Sequence, residues 1–137
     1  MPPLTPLADL ADLADPAELA DRPRAAEAPL VVVALCAAWC GTCRDFRPAF
    51  ERIAGARPGI VFAWADIEDD AELVGDIDVA NFPTLAVIRG GVVLHFGVTL
   101  PHEAVVARLI DALSGAPLRP APDVPDEVRA LAAQLSR

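Results

Sequence analysis

Apolar residues run almost without a break from Leu30 to Cys36, the pattern of a strand buried on both faces. From Gly41 to about Arg57 the pattern turns helical, with Phe46, Phe50, Ile53 and Ala54 on one stripe. Pro48 falls inside this segment and predicts a kink. A second strand is predicted over Ile60 to Asp66, then a short acidic helix or turn from Asp70 to about Asp76. Thr84–Ile88 and Val92–Phe96 read as strands around Arg89-Gly90-Gly91, a hairpin signal. Pro101–Leu113 is predicted helical, with Val105, Val106, Leu109 and Ile110 facing inward and Gly115 as its stop.

The ends of the chain are patterned more weakly. Thr5-Pro6 offers an N-cap and a proline at the first helical position. The stretch Leu7–Asp15 repeats every three residues, so its apolar positions drift around a helix. Asp15-Pro16-Ala17-Glu18 predicts a helix restart with a capping box. Residues 1–29 are thus expected to form a helical extension covering the sheet, with a partner-binding arm as the alternative. Residues 30–115 form the central unit. Residues 116–137 read as a Pro-rich linker and a last helix carrying Val124, Val128, Leu131, Ala132 and Leu135 at helical spacing. That stripe is expected to pack on the unit's own surface, or else on a partner or second copy.

Length and charge narrow the function classes. The 137 residues fit one domain with short extensions. No apolar run approaches the roughly 18 residues of a membrane span. The start has no basic segment before an apolar one, so no secretory signal is read and a cytoplasmic location is expected. A net charge of −9 argues against nucleic acid or an anionic membrane as partner. The acidic stretch Asp66-Ile67-Glu68-Asp69-Asp70 lacks EF-hand spacing and reads as a solvated loop. His95 on a strand and His102 at a helix start make an improbable metal pair. No metal and no cofactor is expected.

The chemistry concentrates in Trp39-Cys40-Gly41-Thr42-Cys43, between the apolar strand and the helix. The junction exposes the first sulfur, and a helix N-terminus favours a thiolate there. The spacing brings the second sulfur within one helical turn of the first. Cys36 extends the run to Cys-x3-Cys-x2-Cys, a spacing also used by iron–sulfur enzymes of the radical type. That motif sits in a loop of a larger barrel, and this chain is too short for one. Cys36 is read as a buried, inert small hydrophobe. The alternative is a third redox participant that traps Cys40 under oxidation.

Trp-Cys-Gly-x-Cys followed by Arg44, Pro48 five residues past Cys43, and Phe82-Pro83-Thr84 about forty residues further on occur in that order. Over about residues 30–114 this combination resembles the thioredoxin family. The resemblance implies a thioredoxin-like α/β fold, a central mixed sheet flanked by helices. It also implies a cis peptide at Phe82-Pro83 beside the dithiol, with Phe82 offering backbone hydrogen bonds to a substrate peptide. Trp39 would shield the sulfurs, and Gly97-Val98 would stand for the family's glycine loop near the substrate groove. Gly41, Thr42 and Thr84 complete the expected substrate-binding set. Two positions depart from the family. Thioredoxins usually carry a buried Asp in the central strand and a buried Lys beside it, and here Ala34 and Trp64 match those positions. Losing both spares an unpaired buried charge but removes a proton acceptor. Thr42 also replaces the usual Pro.

The expected function is a protein-disulfide oxidoreductase with Cys40 as nucleophile and Cys43 as resolving cysteine. Its partners would be protein disulfides, with a thioredoxin reductase as candidate electron donor, and a monomer is expected. The alternative is a thioredoxin-fold binding module, a chaperone-like adaptor with a redox-sensing dithiol.

Overall fold

The computed structural model describes residues 4–6, 29–37, 39–74, 77, 79 and 81–135. The predicted helices between Leu7 and Ala28 lie outside the described residues. Among the described residues, five strands and four helices follow in chain order. They are β1 (Thr5–Pro6), β2 (Leu30–Cys36), α1 (Gly41–Gly55), β3 (Val61–Asp66), α2 (Ala71–Val74), β4 (Thr84–Arg89), β5 (Val92–Val98), α3 (Glu103–Ser114) and α4 (Asp126–Leu135).

The strands form one mixed sheet in the order β1-β3-β2-β4-β5. β2 and β3 run parallel, joined across α1, while β4 runs antiparallel to β2 and to β5. β2 is central and buried along its whole length, which explains its unbroken apolar sequence. Gly90 and Gly91 both take positive φ, 58° and 83°, in the β4–β5 turn. Two such residues in a row give a turn whose twist matches the strands.

Side chains alternate across β2 and sort the core into two layers. Leu30, Val32 and Ala34 point to the face covered by α1 and α3, where Phe46, Phe50, Phe62, Val106 and Ile110 pack. Val31, Val33 and Leu35 point to the opposite face, closed by Val128, Leu131, Ala132 and Leu135 of α4 together with Val74. The terminal helix therefore covers the domain's own sheet. Burying four apolar side chains there contributes roughly 1.5–3 kcal/mol for each Val or Leu. The Pro-rich segment before it is docked too. Leu118 packs on the first face, the Ala121 N–H donates to the Val93 carbonyl at 2.8 Å, and Val124 packs on the second face. The segment thus wraps the open edge of β5, which an unpaired strand edge benefits from.

Two sequence expectations are corrected. Thr5-Pro6 is not a helix start: it forms a short edge strand, with Thr5 opposite Ala63 and Pro6 opposite Trp64. Proline is tolerated at such an edge because only one side needs donors. Val105 is exposed, while Val106 and Ile110 are fully buried. Adjacent helical positions lie about 100° apart, so the i, i+4 pair takes the core and Val105 is turned away.

Candidate redox site

Strand register brings the predicted site residues to one end of the sheet. Leu35 pairs with Thr84, so Pro83 and Phe82 lie just past the point where β2 ends. Thr84 pairs with Val98 and Leu85 with Gly97, which carries the end of β5 there. Cys36 pairs with Asp66, which brings in the loop after β3. The Cys40 N-terminus of α1 follows directly from β2.

Cys40 occupies the N-cap of α1 in extended conformation, with no side-chain cap and no acidic residue in the first turn. The first N–H groups of the helix are left for whatever anion sits at this sulfur. The Cys40 thiol is free and half-buried. Gly41 and Thr42 are exposed, and open space surrounds the point where a Cβ on Gly41 would stand. Cys43, one turn in, is 1% exposed.

Trp39 is 63% exposed and packs edge-to-face on Phe82, ring centroids 5.5 Å apart. Its indole N–H donates to Glu68 Oε1 at 3.1 Å. The Phe82–Pro83 peptide is cis. The Pro83 carbonyl accepts from the Thr99 N–H at 3.0 Å, and the buried Thr84 hydroxyl donates to the Asn81 carbonyl at 2.8 Å. These bonds fix the loop facing the helix N-terminus. Val98 and Leu100, both exposed, extend the apolar surface at this end.

The acidic loop is held by its own carboxylates. Asp66 Oδ1 accepts from the Glu68 and Asp69 N–H groups, and Asp70 Oδ2 accepts from the Asp66 N–H. No cluster of three or more His, Cys, Asp or Glu side chains suited to a metal occurs among the described residues. His95 lies on β5 and His102 at the N-cap of α3. Ala34 and Trp64 stand opposite each other on β2 and β3. Trp64 packs against Phe46 and Phe50 and lies under the Arg47 guanidinium, 5.1 Å from the ring centroid. Apolar groups therefore fill the place of a buried acid–base pair.

Cys36 is not inert. It is joined to Cys43 in a disulfide, with the two Cα atoms 5.9 Å apart, leaving Cys40 as the free thiol. The pairing expected as the alternative, Cys36 with Cys40, is not the one formed. Strand alternation carried the missed signal: Cys36 is in phase with Leu30, Val32 and Ala34, on the face that α1 covers. Glu68 was also missed, because its partner Trp39 lies on a different loop and meets it only through strand pairing.

The Thioredoxin family model matches residues 20–110, and the chain belongs to the thioredoxin family. It is 37% identical over 62 residues to thioredoxin H2-2 of Oryza sativa, covering 45% of this chain and 46% of that protein. It is 28% identical over 88 residues to protein disulfide-isomerase A4 of Mus musculus, covering 61% of this chain and 14% of that protein. The chain thus spans less than half the length of these curated relatives. Among solved structures it is similar to Fasciola hepatica thioredoxin, with a TM-score of 0.60 and 27% identity over 80% of this chain and 95% of that one. Trypanosoma brucei brucei thioredoxin shares the fold, with a TM-score of 0.59 and 22% identity over 82% of this chain and 91% of that one. No helix among the described residues is long and apolar enough to cross a membrane.

Proposed function

We propose that the chain is a thiol–disulfide oxidoreductase acting on protein disulfides. The observation that carries this reading is the half-buried Cys40 thiol at an uncapped helix N-terminus, with Cys43 buried one turn behind it. Cys40 attacks a client disulfide and forms a mixed disulfide, expelling one client thiolate. Cys43 then attacks Cys40, releasing the second client thiolate and closing Cys40–Cys43. The client strand lies against Trp39, Gly41, Thr42, Phe82, Pro83, Thr84 and Gly97, with Val98 and Leu100 adding apolar surface. A cytoplasmic monomer recharged by a thioredoxin reductase fits this reading, with residues 30–115 as the catalytic unit. The test is a pair of variants. Cys40→Ser is expected to abolish reduction of a protein disulfide, and Cys43→Ser to accumulate client adducts on Cys40. Absence of any adduct from Cys43→Ser overturns the reading.

A second reading rests on the apolar filling at Ala34 and Trp64 and on the exposed Trp39–Phe82 pair. In it the domain holds unfolded clients and the dithiol reports redox state. It requires that Cys40→Ser/Cys43→Ser still suppress client aggregation.

A further inference from the structure

The catalytic pair does not account for the third cysteine. Cys36 ends β2 and is fully buried, on the face packed by α1. Its bond to Cys43 spans a Cα separation ordinary for disulfides, 5.9 Å. Cys43 thus stands within bonding reach of one sulfur in the core, while the exchange reaction requires it to reach a second at the surface. A cysteine placed between two others can pass a disulfide from one to the other.

We propose that Cys36 is a third catalytic cysteine that draws the disulfide inward after each turnover. The inference rests on the exchange chemistry at Cys40 proposed above. Once Cys40–Cys43 has closed, the Cys36 thiolate attacks the Cys43 sulfur. The Cys36–Cys43 bond forms, the Cys40–Cys43 bond breaks, and Cys40 leaves as a thiolate. Cys36 is oxidised and Cys40 reduced, so no outside oxidant or reductant enters. The proton that Cys36 gives up balances the one that the released Cys40 thiolate takes up. Cys40 leaves toward the N-terminus of α1, where the helix receives a negative sulfur best. The buried pair is withheld from small thiols, since attack requires access to a sulfur.

This gives the oxidised protein an unusual property. Its nucleophile is free again while its resolving cysteine is occupied. A client disulfide attacked by Cys40 in this state is released only by a second thiol, one of the client's own or an added one. The oxidised form therefore exchanges disulfides without net reduction, and the reduced form reduces them.

The test maps connectivity in the full chain. Reduced protein is oxidised with diamide, quenched in acid, alkylated with N-ethylmaleimide and cut after Trp39. That cut separates Cys36 from Cys40 and Cys43. The relay predicts two fragments joined through Cys36–Cys43, with the label on Cys40. Separate fragments, with an intact Cys40–Cys43 loop and the label on Cys36, overturn the relay and leave the exchange reaction standing. Three labelled cysteines overturn both. Native titration with a chromogenic disulfide gives an independent check. Oxidised wild-type protein is expected to show a single fast thiol per chain, and oxidised Cys36→Ala none. A fast thiol surviving in Cys36→Ala, or missing from the wild type, contradicts the relay.

Discussion

The two faces of the sheet are made of different material. Under α1 and α3 lie Phe46, Phe50, Phe62 and Trp64, with the Cys36–Cys43 pair at the edge of the layer. Under α2 and α4 the buried residues are all aliphatic. The aromatic part of the first layer comes from α1 and β3, which follow β2 directly in the chain, and α3 completes it. The second is closed by a helix that arrives last, after the chain has wrapped β5. All the sulfur chemistry sits on the first face, because α1 leaves directly from the end of β2 and must pack on one side. The difference leads to the expectation that the aromatic layer positions α1, while the aliphatic layer contributes stability.

A matched pair of truncations tests this division most severely. Phe50→Ala and Leu131→Ala remove fully or nearly fully buried side chains from the two layers. The expected losses are about 3–5 and about 2–5 kcal/mol, read from urea midpoints. Only Phe50→Ala is expected to change the alkylation rate of Cys40 in the folded, reduced protein. An equal change in Leu131→Ala would erase the distinction between the faces.

Trp39→Ala sharpens the comparison at the site itself. It removes the edge-to-face contact with Phe82 and the hydrogen bond to Glu68. An aromatic pair contributes about 0.5–1.5 kcal/mol, and exposure at this position leaves a small stability cost. Exchange with a protein disulfide is expected to slow more than exchange with oxidised glutathione. Equal slowing of both would assign Trp39 to the sulfurs rather than to the client.

The smallest expected effect belongs to His95. Its Nε2 is buried without a hydrogen-bond partner among the described residues, and burial holds its pKa below the ordinary value. The unfolded chain takes up the proton near the usual pKa of about 6.5, before the folded protein does. Stability from this group is therefore complete above about pH 6.5 and declines as the pH falls below it. His95→Gln is expected to flatten the drop in Tm between neutral and mildly acidic pH. An unchanged drop would place the acid sensitivity elsewhere.

Much of the molecule was legible in local patterns. The unbroken apolar run of Leu30–Cys36, the stripe ending at Ala54 and the paired glycines at 90 and 91 fix their elements through short-range sterics and periodicity. The place of Cys40 at the start of α1, with Cys43 one turn in, was equally plain, since both fall within one helical turn. Other features depend on residues distant in sequence. Thr5-Pro6 carries good helix-start chemistry, and only pairing with β3 makes it a strand. Val105 and Val106 are equally apolar, and the choice between them follows from where α3 lies on the sheet.

The sequence by itself determined most strands and helices from Leu30 onward and the place of Cys40 at a helix N-terminus, because alternation, periodicity and turn chemistry act over a few residues, and its motifs carried the resemblance to the family. Tertiary structure alone decided that Cys43 bonds Cys36, that Trp39 meets Glu68, and that the last helix closes the sheet. Each joins parts of the molecule whose approach is set by strand register and burial. No local sequence pattern announces those approaches, because they depend on how whole elements pack together.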